Sequence, residues 1–92
     1  MMRKAVYSIF FTKSSKKQYD DLSKKVQREV ALVVEEIARN PLMGKPLQGT
    51  LKGLRSKRVG KFRIVYQNKK KELIVLIINI EHRKSVYKMK KR

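Results

Sequence analysis

From residue 37 to residue 71 the chain has no Asp or Glu but eleven Lys or Arg: Arg39, Lys45, Lys52, Arg55, Lys57, Arg58, Lys61, Arg63, Lys69, Lys70 and Lys71. The first 36 residues hold eight bases and five acids, and the last 21 hold six bases and two acids, so most of the net charge of +18 falls in the middle and tail. A field this one-sided repels itself in any compact state. The fold must therefore leave a broad surface uncovered for these cations. Solubility, the ordinary explanation, needs a net charge of only about 2 to 8 in a small domain. The excess points to a polyanionic partner, and first of all to a nucleic acid.

Ninety-two residues read as one domain over positions 1–92, with no room for a second core. Hydrophobic residues make up 41% of the chain, enough for a core rather than a disordered tail. The absence of cysteine excludes disulfides, thiol catalysis and thiolate metal sites. With one histidine and no acid in the central third, neither a metal site nor a cofactor site is visible. This usage suits a cytoplasmic protein. The longest apolar run, 73–78, is too short to span a membrane. Ser8 and Lys13 interrupt the apolar start, so it reads as a strand rather than a signal peptide.

Residues 4–11 are β-branched and aromatic and predict a strand. Thr12 or Ser14 can cap a first helix, in which Phe11, Ser15, Tyr19, Leu22 and Val26 recur at three- and four-residue spacing. After a pause at Ser23-Lys24-Lys25, Val26, Val30, Val33, Val34 and Ile37 give a second helix its apolar stripe, which Asn40-Pro41 ends. Pro41, Gly44, Pro46, Gly49 and Gly53 mark an ordered loop. Strands are expected at 54–59 and 62–67 around a tight turn at Gly60-Lys61, then at 72–81, where an apolar run without alternation predicts an interior strand. Residues 82–90 read as a short helix. The order predicts an α+β fold: an N-terminal strand, a two-helix hairpin, then a three-strand mostly antiparallel meander completing a four-stranded sheet, and a short C-terminal helix. The hairpin of helices would cover one sheet face and leave the cations on the other.

On 62–67, Phe62, Ile64 and Tyr66 point one way and Arg63, Val65 and Gln67 the other. Val59 joins the first set as core, though a bulge near the turn would change the parity. Arg58 and Arg63 then face each other across the turn, where like charges are destabilising unless an anion sits between them. The plain alternative is two arginines reaching into water. Arg83 and Tyr87 lie four apart, so a helix would stack them on one side, where a tyrosine beside a guanidinium can hold a base. Equally, the tyrosine ring can pack on the domain edge. His82, the one histidine, is at a strand end, where a structural role is the commoner one.

The segment LKGLRSKRVGKFRIVY (51–66), preceded by NPLMGKPL (40–47) and followed by HRKSVY (82–87), resembles the RelE/ParE toxin superfamily over nearly the whole chain. The motif is common to both branches, and the reading taken is the RelE-like branch, the mRNA interferases. The resemblance implies a metal-independent endoribonuclease that inhibits translation by cutting mRNA in the ribosomal A site through attack of the 2′-hydroxyl. It also implies a RelB-like protein antitoxin bound in a hetero-oligomer. The alternatives are a ParE-like DNA gyrase inhibitor and a non-catalytic RNA- or ribosome-binding module. Carried over by position, Arg63 matches the arginine that stabilises the transition state, Arg58 one of two basic residues on the preceding strand, Arg83 the C-terminal arginine, and Tyr87 the tyrosine near the nucleophile or base. The second basic position falls at Ser56, which is no cation, so Arg55 or Lys57 would have to substitute or that role is missing. Lys52, Arg55, Lys57, Lys61, His82 and Lys84 are the candidate RNA- and ribosome-binding residues. Arginine stays charged and grips phosphate with two parallel bonds, which makes Arg58 and Arg63 clamps rather than bases.

Overall fold

The computed structural model of the protein describes residues 6–82. Along the chain it has β1 (Ser8–Phe11), α1 (Lys13–Asp20), α2 (Lys24–Arg39), β2 (Lys45–Pro46), β3 (Leu54–Val59), β4 (Phe62–Lys69) and β5 (Ile74–His82). The strands form one sheet in the order β1-β5-β4-β3-β2. β1 runs parallel to β5, and every other neighbour is antiparallel.

The expected α+β architecture is present, with a fifth strand. Lys45–Pro46, expected as loop, pairs with Arg55 and Ser56 and forms the sheet edge. Pro46 is tolerated there because an edge strand does not need every N–H. The third long strand starts at Ile74 rather than 72, because Lys70–Glu72 form a 3₁₀ turn and Leu73 adopts φ 56. The expected helix over 82–90 lies outside the described residues.

Both helix starts follow from their caps: the Thr12 side chain accepts from Ser15 N, and Ser23 accepts from Val26 N. The apolar stripe of α2 (Val30, Val34 and Ile37) packs on Val59, Ile64, Tyr66, Val75, Ile77 and Ile80 of the sheet. Each fully buried side chain of this kind contributes about 1.5–3 kcal/mol.

The parity of β5 changes within this core. Tyr66 pairs with Ile77 but Val65 pairs with Asn79, so Ile78 is an extra residue, a β-bulge. The start of α1 anchors it: Thr12 N and the buried Ser15 Oγ both donate to the Ile77 carbonyl, at 3.0 and 2.7 Å. This explains the serine in the apolar stripe of α1. Beyond the bulge Ile80 faces the core, and Glu81 takes the place opposite Arg63.

Candidate nucleic-acid site

The two-residue turn at Gly60-Lys61, with Gly60 at φ 59, closes the β3–β4 hairpin and puts Arg58 directly opposite Arg63. Side chains so placed have β-carbons about 4.5–5.5 Å apart, and like charges there oppose folding by roughly 0.2–1 kcal/mol. Among the described residues neither guanidinium has a hydrogen bond or an ion pair. Val65 and Arg63 lie on the sheet face away from α2, as the alternation requires.

A cleft of about 410 Å³ opens beside this pair, lined by Met43, Lys45, Ser56, Lys57, Arg58 and Arg63. Its volume is in the range of small-ligand sites. Four of its six lining residues are cations, and none is an acid. Lys45 is there because β2 pairs it with Ser56. Lys57 belongs by alternation to the other face. However, β2 ends opposite Ser56, so no strand covers the β3 edge from Lys57 onward, and Lys57 reaches the rim.

The wall carrying Met43 and Lys45 is fixed from below. The Tyr66 hydroxyl, fully buried, donates to the Pro41 carbonyl at 2.7 Å and accepts from the Gly44 N–H at 2.9 Å. Burial raises the Tyr66 pKa above its ordinary 10.0, against smaller lowering contributions from the Gly44 N–H and Arg55. Arg55 Nη1 donates to the carbonyls of Gly44 and Leu42, at 2.7 and 3.2 Å. Arg55, expected to bind RNA or to substitute for the second basic residue, keeps its charge but turns Nη1 to the loop carbonyls and does not line the cleft. Lys57 is the residue that joins the cleft.

The other expected residues are spread out. Lys61 is exposed in the turn, next to the arginines. Lys52 lines a separate hollow with Pro46 and Gly49, so it does not share the cleft. His82 pairs in register with Phe62, the rings meeting edge to face at 5.0 Å, and is not in the cleft. Arg83, Lys84 and Tyr87 lie outside the described residues. Sequence reasoning passed over Lys45 as a site residue although it sits within the NPLMGKPL segment, and it did not single out Glu81, which nothing but the bulge places opposite Arg63.

A model of the "ParE toxin of type II toxin-antitoxin system, parDE" family matches residues 9–87. The chain belongs to this toxin family. It is 34% identical over 87 residues to Toxin RelG of Mycobacterium tuberculosis, covering 89% of this chain and 97% of that protein. The toxin–antitoxin complex RelBE2 of the same organism contains a chain that matches with a TM-score of 0.80 at 28% identity, over 88% of this chain and 95% of that one. Isolated Escherichia coli RelE shares the fold, with a TM-score of 0.75 at 20% identity, covering 90% and 93%. The protein is therefore a type II toxin of the RelE/ParE superfamily, and the cleft between β2 and the β3–β4 hairpin is the candidate site of this toxin. No helix among its described residues is long and apolar enough to cross a membrane.

Proposed function

We propose that this toxin is an endoribonuclease that cuts mRNA in the A site of translating ribosomes, acting in the cytoplasm and restrained by an acidic, RelB-like antitoxin. The observation that carries the reading is the Arg58–Arg63 pair, side by side at an acid-free cleft with Lys45 and Lys57. RNA brings its own nucleophile, the 2′-hydroxyl, so the protein has to align it, neutralise charge building up on phosphorus and move protons. Two guanidiniums on rigid adjacent strands suit the neutralisation, since each grips phosphate oxygens bidentately. Arg83 and Tyr87 are the further catalytic candidates in this reading, and Lys84 a further RNA- or ribosome-binding one. The net charge of +18 favours an acidic partner, and solved relatives from M. tuberculosis, E. coli and Pyrococcus horikoshii are complexes of toxin with antitoxin.

The ParE description of the matching family favours a second reading, in which the toxin poisons DNA gyrase. One experiment separates them. Protein is added to ribosomes translating a defined message, and primer extension maps the RNA ends, while a parallel gyrase reaction is scored for trapped DNA breaks. Cuts at codon boundaries support the ribonuclease. Intact RNA with trapped breaks replaces it with the gyrase reading, and neither effect leaves a binding module.

A further inference from the structure

We propose that Glu81 is the general base of the ribonuclease reaction, taking the proton from the 2′-hydroxyl of the RNA. This deepens the reading above and rests on it. Across the sheet the register places Arg58, Arg63 and Glu81 in one row on β3, β4 and β5. Neighbouring strands lie about 4.8 Å apart, so a phosphate gripped by the two arginines sits within one or two strand spacings of this carboxylate. Glu81 is also the only acid on its strand. The preceding acid in the chain, Glu72, is at the opposite end of β5, where it pairs with Lys69 at 3.5 Å.

The carboxylate is held as a base should be, by a third group that orients it. Glu81 Oε1 accepts from Asn79 Nδ2 at 2.5 Å, Asn79 Oδ1 accepts from Gln18 Nε2 at 2.6 Å, and Gln18 Oε1 accepts from Ile80 N at 2.8 Å. The amide chain thus runs from α1 to one carboxylate oxygen and leaves Oε2 without a hydrogen bond among the described residues. Each end of the row lines a hollow of about 410 Å³: Arg58 and Arg63 line the cationic cleft, and Glu81 lines a second one with Asn79, Phe62 and His82. The bulge at Ile78 is what brings Glu81 here, since an unbroken register would set Ile80 opposite Arg63.

In the step itself the 2′-O–H bond breaks and its proton passes to Glu81 Oε2. The 2′-oxygen bonds to phosphorus, the bond from phosphorus to the 5′-oxygen breaks, and the departing oxygen takes a proton from the Lys57 ammonium. The products are a 2′,3′-cyclic phosphate and a 5′-hydroxyl. Glu81 then gives its proton to water and Lys57 regains one. The charged and titratable groups facing Glu81 are Arg63 from β4, Asp21 following α1 and His82 beside it on β5, with Arg58 one strand further.

The test is single-turnover cleavage on ribosomes programmed with a defined message, across pH, for wild type, Glu81→Gln and Glu81→Asp. Loss of a general base costs about 10²–10⁴-fold in rate. Glu81→Gln should show that loss together with disappearance of the acid-side limb, on which the rate rises with pH. Glu81→Asp should be slower but keep the limb. Binding to a message with 2′-deoxyribose at the cleavage position should survive in both, or tighten, because an acid beside a cationic cleft has gone or drawn back. Wild-type rate in Glu81→Gln, an acid limb that persists in it, or loss of binding would each overturn the assignment. Should the Gln variant melt early, Glu81→Asp decides, and wild-type rate there overturns it. Wild-type protein that leaves the message intact removes the ribonuclease reading and this one together; cleavage by wild type and Glu81→Gln alike removes this one alone.

Discussion

A β-carbon at Gly44 would lie 2.5 Å from the Tyr66 hydroxyl, 2.8 Å from its ring and 2.9 Å from the Ser56 carbonyl, so the phenol occupies the space that any other residue at 44 needs. The glycine is there for closeness, since its N–H must reach the buried hydroxyl at 2.9 Å. Gly44→Ala should therefore push the loop off β3. Overpacking of this kind costs about 1–3 kcal/mol. A chemical melt should show that loss, and weaker RNA binding should accompany it, because Met43 and Lys45 would move with the loop.

Tyr66→Phe keeps the ring but strands the Pro41 carbonyl and the Gly44 N–H in the interior. Leaving buried groups unpaired costs about 1–3 kcal/mol each at most, so the variant should melt well below wild type. The gap should depend on pH. Burial raises the Tyr66 pKa, so the folded state holds the phenolic proton more tightly than the unfolded chain does. This contribution is complete below the ordinary value of 10.0 and is lost as pH rises through the higher folded value. Melts of both proteins from neutral to strongly alkaline pH should show the difference between them narrowing at the alkaline end.

Arg63→Ala should leave the fold intact and remove the activity. The side chain has no hydrogen bond or ion pair among the described residues, and its loss relieves repulsion with Arg58 while giving up attraction to Glu81, so stability should change by less than about 1 kcal/mol. If its guanidinium meets charge that appears in the transition state, cleavage should slow by roughly 10²–10³-fold. Lys69→Ala, at the far end of β4 and paired with Glu72, is the control that should cleave normally.

Salt should titrate the cleft. Four cleft cations on a single-stranded message predict a slope of log affinity against log salt of about −3 from the cleft alone, at roughly −0.7 per contact. Lys45→Ala should make the measured slope shallower by about 0.7. An unchanged slope would place Lys45 outside the RNA path.

The β3–β4 hairpin was legible because a glycine turn interrupts two alternating segments, and that alone puts Arg58 across from Arg63. The first helix start was legible because Thr12, one of two candidate caps, carries the capping oxygen, while Ser23, read as part of a pause, caps the second. β2 was not, since two residues have no period and their pairing is made by backbone atoms. The bulge was hidden for a related reason: where residues 73–78 are apolar on both faces, there is no alternation in which a skipped residue can show. Arg55 looks like any other cation in the run, and its role depends on carbonyls that only the folded loop of residues 42–44 presents. The expected contributions of Arg83 and Tyr87 rest on the HRKSVY segment, outside the described residues.

The parallel pairing of β1 with β5 joins Ser8 to Ile74, positions 66 residues apart. During synthesis the first strand therefore waits, unpaired, while nearly every other element is made, and long-range parallel pairing is slow to form even then. The arginine hairpin needs no such wait, because its two strands meet across a two-residue turn. A nascent chain stopped short of Ile74 carries the complete basic hairpin but neither the strand that seals the sheet nor Glu81. Interrupted translation of this toxin thus yields fragments that carry the charged hairpin without the sheet that holds it.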